Sequence, residues 1–246
     1  MKITYPKRVE DTAELSIDGN PVRYPIPPRT GTHEQCFALN ADEKEVRFST
    51  GREIAAYAHG ALVHRKNEWA DQNRVRFPTI NYLRFQNVFT IMPADTRYGD
   101  LAGGMFVDFD EKGEGTKMQT VVPKDLSGFV VNGEGLLVKD KRIFLPYDAW
   151  FKEQWDERNA IVIALVGGEG ASSLEETSRD SGRTYKPIWK VNPKDITSPV
   201  MRVPVLGGCG GVGWLVLGCD YLGYGDGGCV PRVRNASAEG AKPQKN

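Results

Sequence analysis

The side chains of this chain that could do chemistry are four cysteines, three histidines and the residues around two glycine-rich segments. A metal centre needs clustered thiolate or imidazole ligands, and His33 with Cys36, three residues apart, could supply two. Cys209, Cys219 and Cys229 are spaced by ten with no Cys-x-x-Cys pair, so no metal site and no cofactor are expected. His59 and His64 fall five apart on one expected helix, a poor spacing for shared ligation, and read as surface residues. Asp108-Phe109-Asp110 begins like a calcium loop, yet Lys112 takes the fifth position and Gln119 the twelfth, where that loop needs a bidentate acid. An acidic hairpin turn is the expectation there. There is no Gly-x-Ser-x-Gly, and the scattered histidines offer no triad spacing, so binding rather than catalysis is expected.

Two segments look like phosphate cradles. Gly208-Cys209-Gly210-Gly211-Val212-Gly213 matches Gly-x-Gly-x-x-Gly letter for letter. That motif works only where it opens a helix and meets an acid about 20 residues on. Here Trp214-Leu215-Val216-Leu217-Gly218 makes no amphipathic helix, and position 233 is Val. The other segment is Val166–Ser173, where Gly167-Gly168-Glu169-Gly170 follows an apolar run but Ser173 stands at the third glycine position. A flexible loop and a phosphate-binding enzyme site are the two readings of it.

The elements that position these residues follow from pattern. The chain has 246 residues and balanced charge, 32 basic against 32 acidic side chains, which excludes a general nucleic-acid binder. Its 40% hydrophobic content suffices for a core, and no apolar run reaches the length of a membrane span. Met1–Arg8 lacks the apolar core of a signal peptide, so a virion-associated or cytoplasmic setting is expected over secretion. Residues 1–48 read as short strands and turns, with Asp18-Gly19-Asn20 as a hairpin turn. Thr50-Gly51-Arg52-Glu53 fits a capping box, and Ile54, Tyr57, Ala58, Ala61 and Leu62 follow at helical spacing. Strands are expected at Met105–Phe109, Lys117–Val122, Gly128–Val131, Leu136–Val138, Ile188–Val191 and Val200–Leu206, with Asn132-Gly133 as a two-residue turn. Tyr147–Arg158 is an expected helix. Ala160–Val166 reads as a buried strand, followed by a polar loop over 167–184. Helix and strand mix without a regular β-α-β alternation, so the fold class is α+β.

The densest signal lies near the C-terminus. Of the 22 residues from Gly207 to Gly228, ten are Gly, and none is Lys, Arg, Ser, Thr, Asn or Gln. Trp214, Leu215, Val216, Leu217, Tyr221, Leu222 and Tyr224 want burial or a partner, which a plain linker does not provide. Rigid aromatics mixed with glycine suit a contact surface. From Arg202 to Ala238 there is no Lys, Glu, Gln or Met, and only Trp214 lies outside the set encoded by codons ending in C. Codons of that form arise when the adenines of AAC are randomised.

Arg202-Val203-Pro204-Val205-Leu206-Gly207-Gly208, Gly213-Trp214 and Val230-Pro231-Arg232-Val233-Arg234 together resemble the end of variable proteins of diversity-generating retroelements. The resemblance covers some 35 residues well, and it departs from the usual pattern in placing five residues between Gly208 and Trp214. It implies a C-type-lectin-like ligand-binding domain over 96–235, an accessory region over 1–95 for docking, oligomerisation or attachment, and a polar tail over 236–246. It implies a variable face at Cys209, Val212, Val216, Gly218, Cys219, Tyr221, Gly223, Tyr224, Gly228 and Cys229. Trp214, Arg232 and Arg234 would be scaffold. Tyr221 and Tyr224 would contribute most to binding a protein or surface ligand, because rings bury area with few rotors. Viral tail tips and cell-surface display are the settings this family implies, and a homo-oligomer is compatible with both. A viral structural protein with a glycine-rich β tip and no programmed variation is the alternative.

Overall fold

The computed structural model describes residues 7–9, 12–25, 29–42, 46–63, 83–108, 122–147, 159–181, 184–185, 195–209, 214–220, 228–229 and 232–233. The chain opens with β1 (Lys7–Val9), β2 (Thr12–Ile17) and β3 (Asn20–Pro25), an antiparallel three-stranded sheet. The turn expected at Asp18-Gly19-Asn20 is made by Asp18 and Gly19 alone, both at positive φ, 51° and 85°, because Asn20 already pairs Ile17. β4 (Arg29–Thr30) leads into α1 (His33–Asp42), which corrects the expectation of strands and turns throughout 1–48. Its cause is local: Gln35 N donates to Thr32 Oγ1 at 3.2 Å and Thr32 N donates to Gln35 Oε1 at 2.8 Å. Thr32-x-x-Gln35 is thus a second capping box.

β5 (Val46–Arg47) precedes α2 (Gly51–Val63), whose start is the expected box: Thr50 N donates to Glu53 Oε2 at 3.0 Å and Glu53 N to Thr50 Oγ1 at 3.4 Å. Then come β6 (Leu83–Arg84), β7 (Val88–Ile91), the small ribbon β8 (Arg97–Tyr98) with β9 (Leu101–Ala102), and β10 (Met105–Asp108). β11 (Val130–Val131) and β12 (Leu137–Lys139) form a hairpin, and β13 (Arg142–Leu145) follows. The turn at Asn132-Gly133 is longer than the two residues expected. Gly135 N donates to Asn132 O, Asn132 N to Leu136 O, and Gly135 takes φ 78°. Three residues, 133–135, therefore make the connection, with glycine at the left-handed position.

The largest correction is α3 (Ala160–Ser181), where a buried strand and a polar loop were expected. Asn159 caps it, accepting from Ile161 N on Oδ1 at 2.9 Å and from Ile163 N on its carbonyl at 3.0 Å. Ile161, Val162, Ala164, Leu165 and Val166 are all buried, so an apolar run without period belongs here to a helix sunk in the core. Gly167, at φ 73° and ψ 164°, interrupts the helix in a region that only glycine occupies readily.

β14 (Thr184–Tyr185), β15 (Val200–Cys209), β16 (Trp214–Asp220), β17 (Gly228–Cys229) and β18 (Arg232–Val233) complete the described elements. The central sheet has eleven strands in the order β11-β12-β13-β10-β7-β15-β6-β17-β4, with β16 on β15 and β14 on β16. Alternation along its strands separates two cores. Met105, Val107, Phe89, Ile91, Ile143 and Leu145 face α2 and α3 in the main core. Phe106 and Phe144 point the other way and cluster with Tyr98 and Met92. The mixed helices and large, mostly antiparallel sheet make the class α+β. The main core runs from Leu15 to Leu206, so elements from both sides of residue 95 share it. The expected segments Lys117–Val122 and Tyr147–Arg158, except Val122 and Tyr147, lie outside the described residues, as do Ile188–Val191 and the tail 236–246.

Candidate functional site

The described strands of the glycine-rich segment, β15 and β16, lie side by side on the central sheet. β15 and β16 pair antiparallel from Val203↔Asp220 at the base to Cys209↔Trp214 at the tip. β15 is long enough to pair β7 through Val200–Arg202 and β6 through Val205–Leu206 on its other edge, which fixes the hairpin base to both halves of the sheet. Cys209 ends β15, Trp214 opens β16, and Val216, Gly218 and Cys219 lie along β16. Gly228 and Cys229 are β17, and Arg232 opens β18, which pairs β5. Val212, Tyr221, Gly223, Tyr224 and Arg234 lie outside the described residues.

Register assigns the described positions to faces, because directly opposed residues share one. Cys209, Trp214, Val216 and Gly218 fall on the face of Val203 and Val205. Cys229 joins them through Arg84, which pairs Val205 on one side and Cys229 on the other. Cys219, opposite Pro204, and Gly228, opposite Leu83, belong to the other face. The expected variable positions therefore divide between two faces, and Trp214 shares one with Val216 and Gly218. Val203, Pro204, Val205 and Leu206 are buried, which covers both faces of that part of β15, and Val200, Met201, Arg202 and Gly207 on either side are half-buried. The Gly-x-Gly-x-x-Gly match runs from one strand end to another and opens onto β16, not a helix, as its following residues predict.

A second region of interest has no counterpart among the expected variable residues. A cavity of about 630 Å³ lies between the start of α2 (Thr50, Arg52), the α3 interruption (Val166–Glu169) and the turns on either side of β12 (Asn132, Glu134, Asp140, Lys141). Val166–Ser173, the alternative phosphate segment, thus contributes its first residues to a cavity wall, as helix rather than loop. Arg52 Nη2 meets Glu169 Oε2 at 2.5 Å and Asp18 Oδ2 at 2.7 Å. Arg142 Nε donates to Asp108 Oδ1 at 2.8 Å. Burial raises the Asp108 carboxyl above its ordinary value, against the lowering effect of Arg142. Sequence reasoning did not single out Arg52, Glu134, Lys141 or Arg142. The only early signals were the Thr50 box and the Asn132 turn, which fix where Arg52 and Glu134 begin.

Of the three histidines, His33 and His59 are core residues, and His64 lies outside the described residues. His33 is fully buried, 5.1 Å centroid to centroid from Phe48, with neither ring nitrogen hydrogen-bonded. Burial and then the Arg84 charge hold its pKa down at about 3, so it is neutral. Cys36, one turn along α1, is buried and outside any disulfide. His59 is buried too, correcting the surface expectation. Its Nδ1 sits 3.2 Å from Thr177 Oγ1, whose own proton goes to Ser173 O at 2.6 Å, so Nδ1 is the donor. Among the described residues no three His, Cys, Asp or Glu side chains form a metal-binding group, and no helix is long and apolar enough to cross a membrane. No protein-family model, curated protein or solved structure matches this chain.

Proposed function

We propose that this chain is a ligand-binding protein of the variable-protein type, presenting diversified residues on a C-type-lectin-like scaffold to a protein or surface ligand, without catalysis. The observation that carries the reading is that β15 and β16, the described strands of the glycine-dense stretch, pair from Val203↔Asp220 to Cys209↔Trp214, with β15 fastened to β6 and β7 of the central sheet. A linker of this composition would leave the backbone unpaired. Ladder hydrogen bonds do not depend on side-chain identity, so a hairpin built on them accepts many side-chain sets. The buried segment Val203–Leu206 holds the register. Cys209, Val216 and Gly218 share one face of this pair with Trp214 and are the positions on it that the reading assigns to display.

The test is to read the DNA around the gene and the rest of that genome. The expected finding is a near-copy of the codons for residues 203–235, differing where the copy carries adenine, beside a reverse-transcriptase gene. Absence of any such copy throughout the genome would overturn the reading in favour of a fixed glycine-rich structural tip.

A further inference from the structure

We propose that the cavity beside the α3 interruption is a second binding site, for a small zwitterion with an apolar body such as a short apolar peptide. The inference is independent of the hairpin and of programmed variation. At about 630 Å³ the space falls within the usual range of small-molecule sites. Its floor is apolar, with Ile143 and Val166 buried and Val138 and Ile163 beside them. Its rim carries three cations, Arg52, Lys141 and Arg142, and three acids, Glu134, Asp140 and Glu169, with Asp18 paired to Arg52 and Asp108 to Arg142. A rim bearing both signs offers a partner to each end of a ligand that carries both charges. The rim can also exchange partners. The Arg52 and Glu169 side chains keep 45% and 57% of their exposure, and a pair that open contributes little, so a ligand carboxylate can replace Glu169 on Arg52. Arg142 is more enclosed and stays on Asp108, which holds that wall in place. Glu134 and Asp140, on the two turns, remain for the ligand ammonium.

Leucyl-leucine is the probe, titrated into the full-length protein by calorimetry, with N-acetyl-leucyl-leucine and leucyl-leucinamide as versions each lacking one charge. The dipeptide is expected to bind with a dissociation constant between micromolar and millimolar, and each blocked form about tenfold more weakly or worse. Arg52→Ala should remove the preference for the free carboxylate, and Glu134→Gln the preference for the free amine. The thermal midpoints of the two variants should stay near that of the parent, because both side chains lie on the rim. No binding of leucyl-leucine at millimolar concentration overturns the proposal. Equal binding by either blocked form does so too, since it means adhesion of apolar surface alone.

Discussion

Arg47 Nη2 lies 2.5 Å from Glu53 Oε1, with each side chain only 8% exposed. The other carboxylate oxygen of Glu53 caps Thr50 N, so one buried acid joins β5 to the first turn of α2 and starts that helix. Arg47 also donates to Phe48 O at 3.1 Å. Removing Glu53 strands a buried guanidinium as well as a cap. Glu53→Ala should destabilise the fold by roughly 3–5 kcal/mol, and Thr50→Ala by about 1 kcal/mol. Urea denaturation of both variants checks this, and equal losses would show that the ion pair is not the larger contribution.

Glycines divide by what surrounds them. A Cβ on Gly51 would overlap Leu165 O and come within 2.9 Å of Val166 Cα, at the place where α2 meets the α3 interruption. Gly133 has nothing within 4 Å. Gly51→Ala should cost about 1–3 kcal/mol or more through overpacking, whereas Gly133→Ala should be near neutral. Comparing thermal midpoints settles it, and an unchanged Gly51→Ala midpoint would contradict the close approach.

The smaller core is an aromatic cluster. Phe106 and Phe144 stand 4.9 Å apart centroid to centroid, and Tyr98 lies 5.3 Å from each. Phe106→Ala should lose roughly 3–5 kcal/mol. Val131, by contrast, is 66% exposed on the edge strand β11. Val131→Thr should stay within about 0.5 kcal/mol, and it removes apolar surface from an open edge. A large loss for Val131→Thr would mean that this edge is covered in solution.

Acid should weaken the fold through His33. In the unfolded chain an imidazole titrates near 6.5, and in the fold burial keeps His33 at about 3. Between those values the unfolded state binds the proton and the folded state does not, so stability falls as pH drops through that window. The slope from this group is at most about 1.4 kcal/mol per pH unit. His59, also held below its ordinary value by burial, adds in the same direction. His33→Phe, placing a ring against Phe37 and Phe48, should flatten the profile between pH 6 and pH 4. Denaturant midpoints across that range measure it, and parallel profiles for parent and variant would remove His33 as a contributor.

Short-range hydrogen bonding and strand alternation are written into a few neighbouring residues and can be read there. Thr50-x-x-Glu53 started α2 where expected, and Asp18-Gly19 turned the first hairpin. Thr32-x-x-Gln35 carried the same kind of signal for α1 and went unread. Met105–Asp108 is a strand because its alternating side chains serve two cores. The composition of Gly207–Gly228 marked the candidate display segment, and Val200–Leu206 marked the strand that anchors it. The remaining features depend on packing between distant segments. Ala160–Val166 has no period, so strand and helix were equally compatible with it until partners on every side made it part of α3. His59 is buried because α3 lies across α2 and brings in Thr177, 118 residues away. The two faces of the β15–β16 hairpin follow from strand register, which depends on β6 and β7 far back in the chain. The cavity gathers Arg52, the Glu134–Arg142 stretch and Glu169 from three separate parts of the chain. Contacts of that kind form only when distant segments are brought together by a shared core, and local pattern holds no record of them.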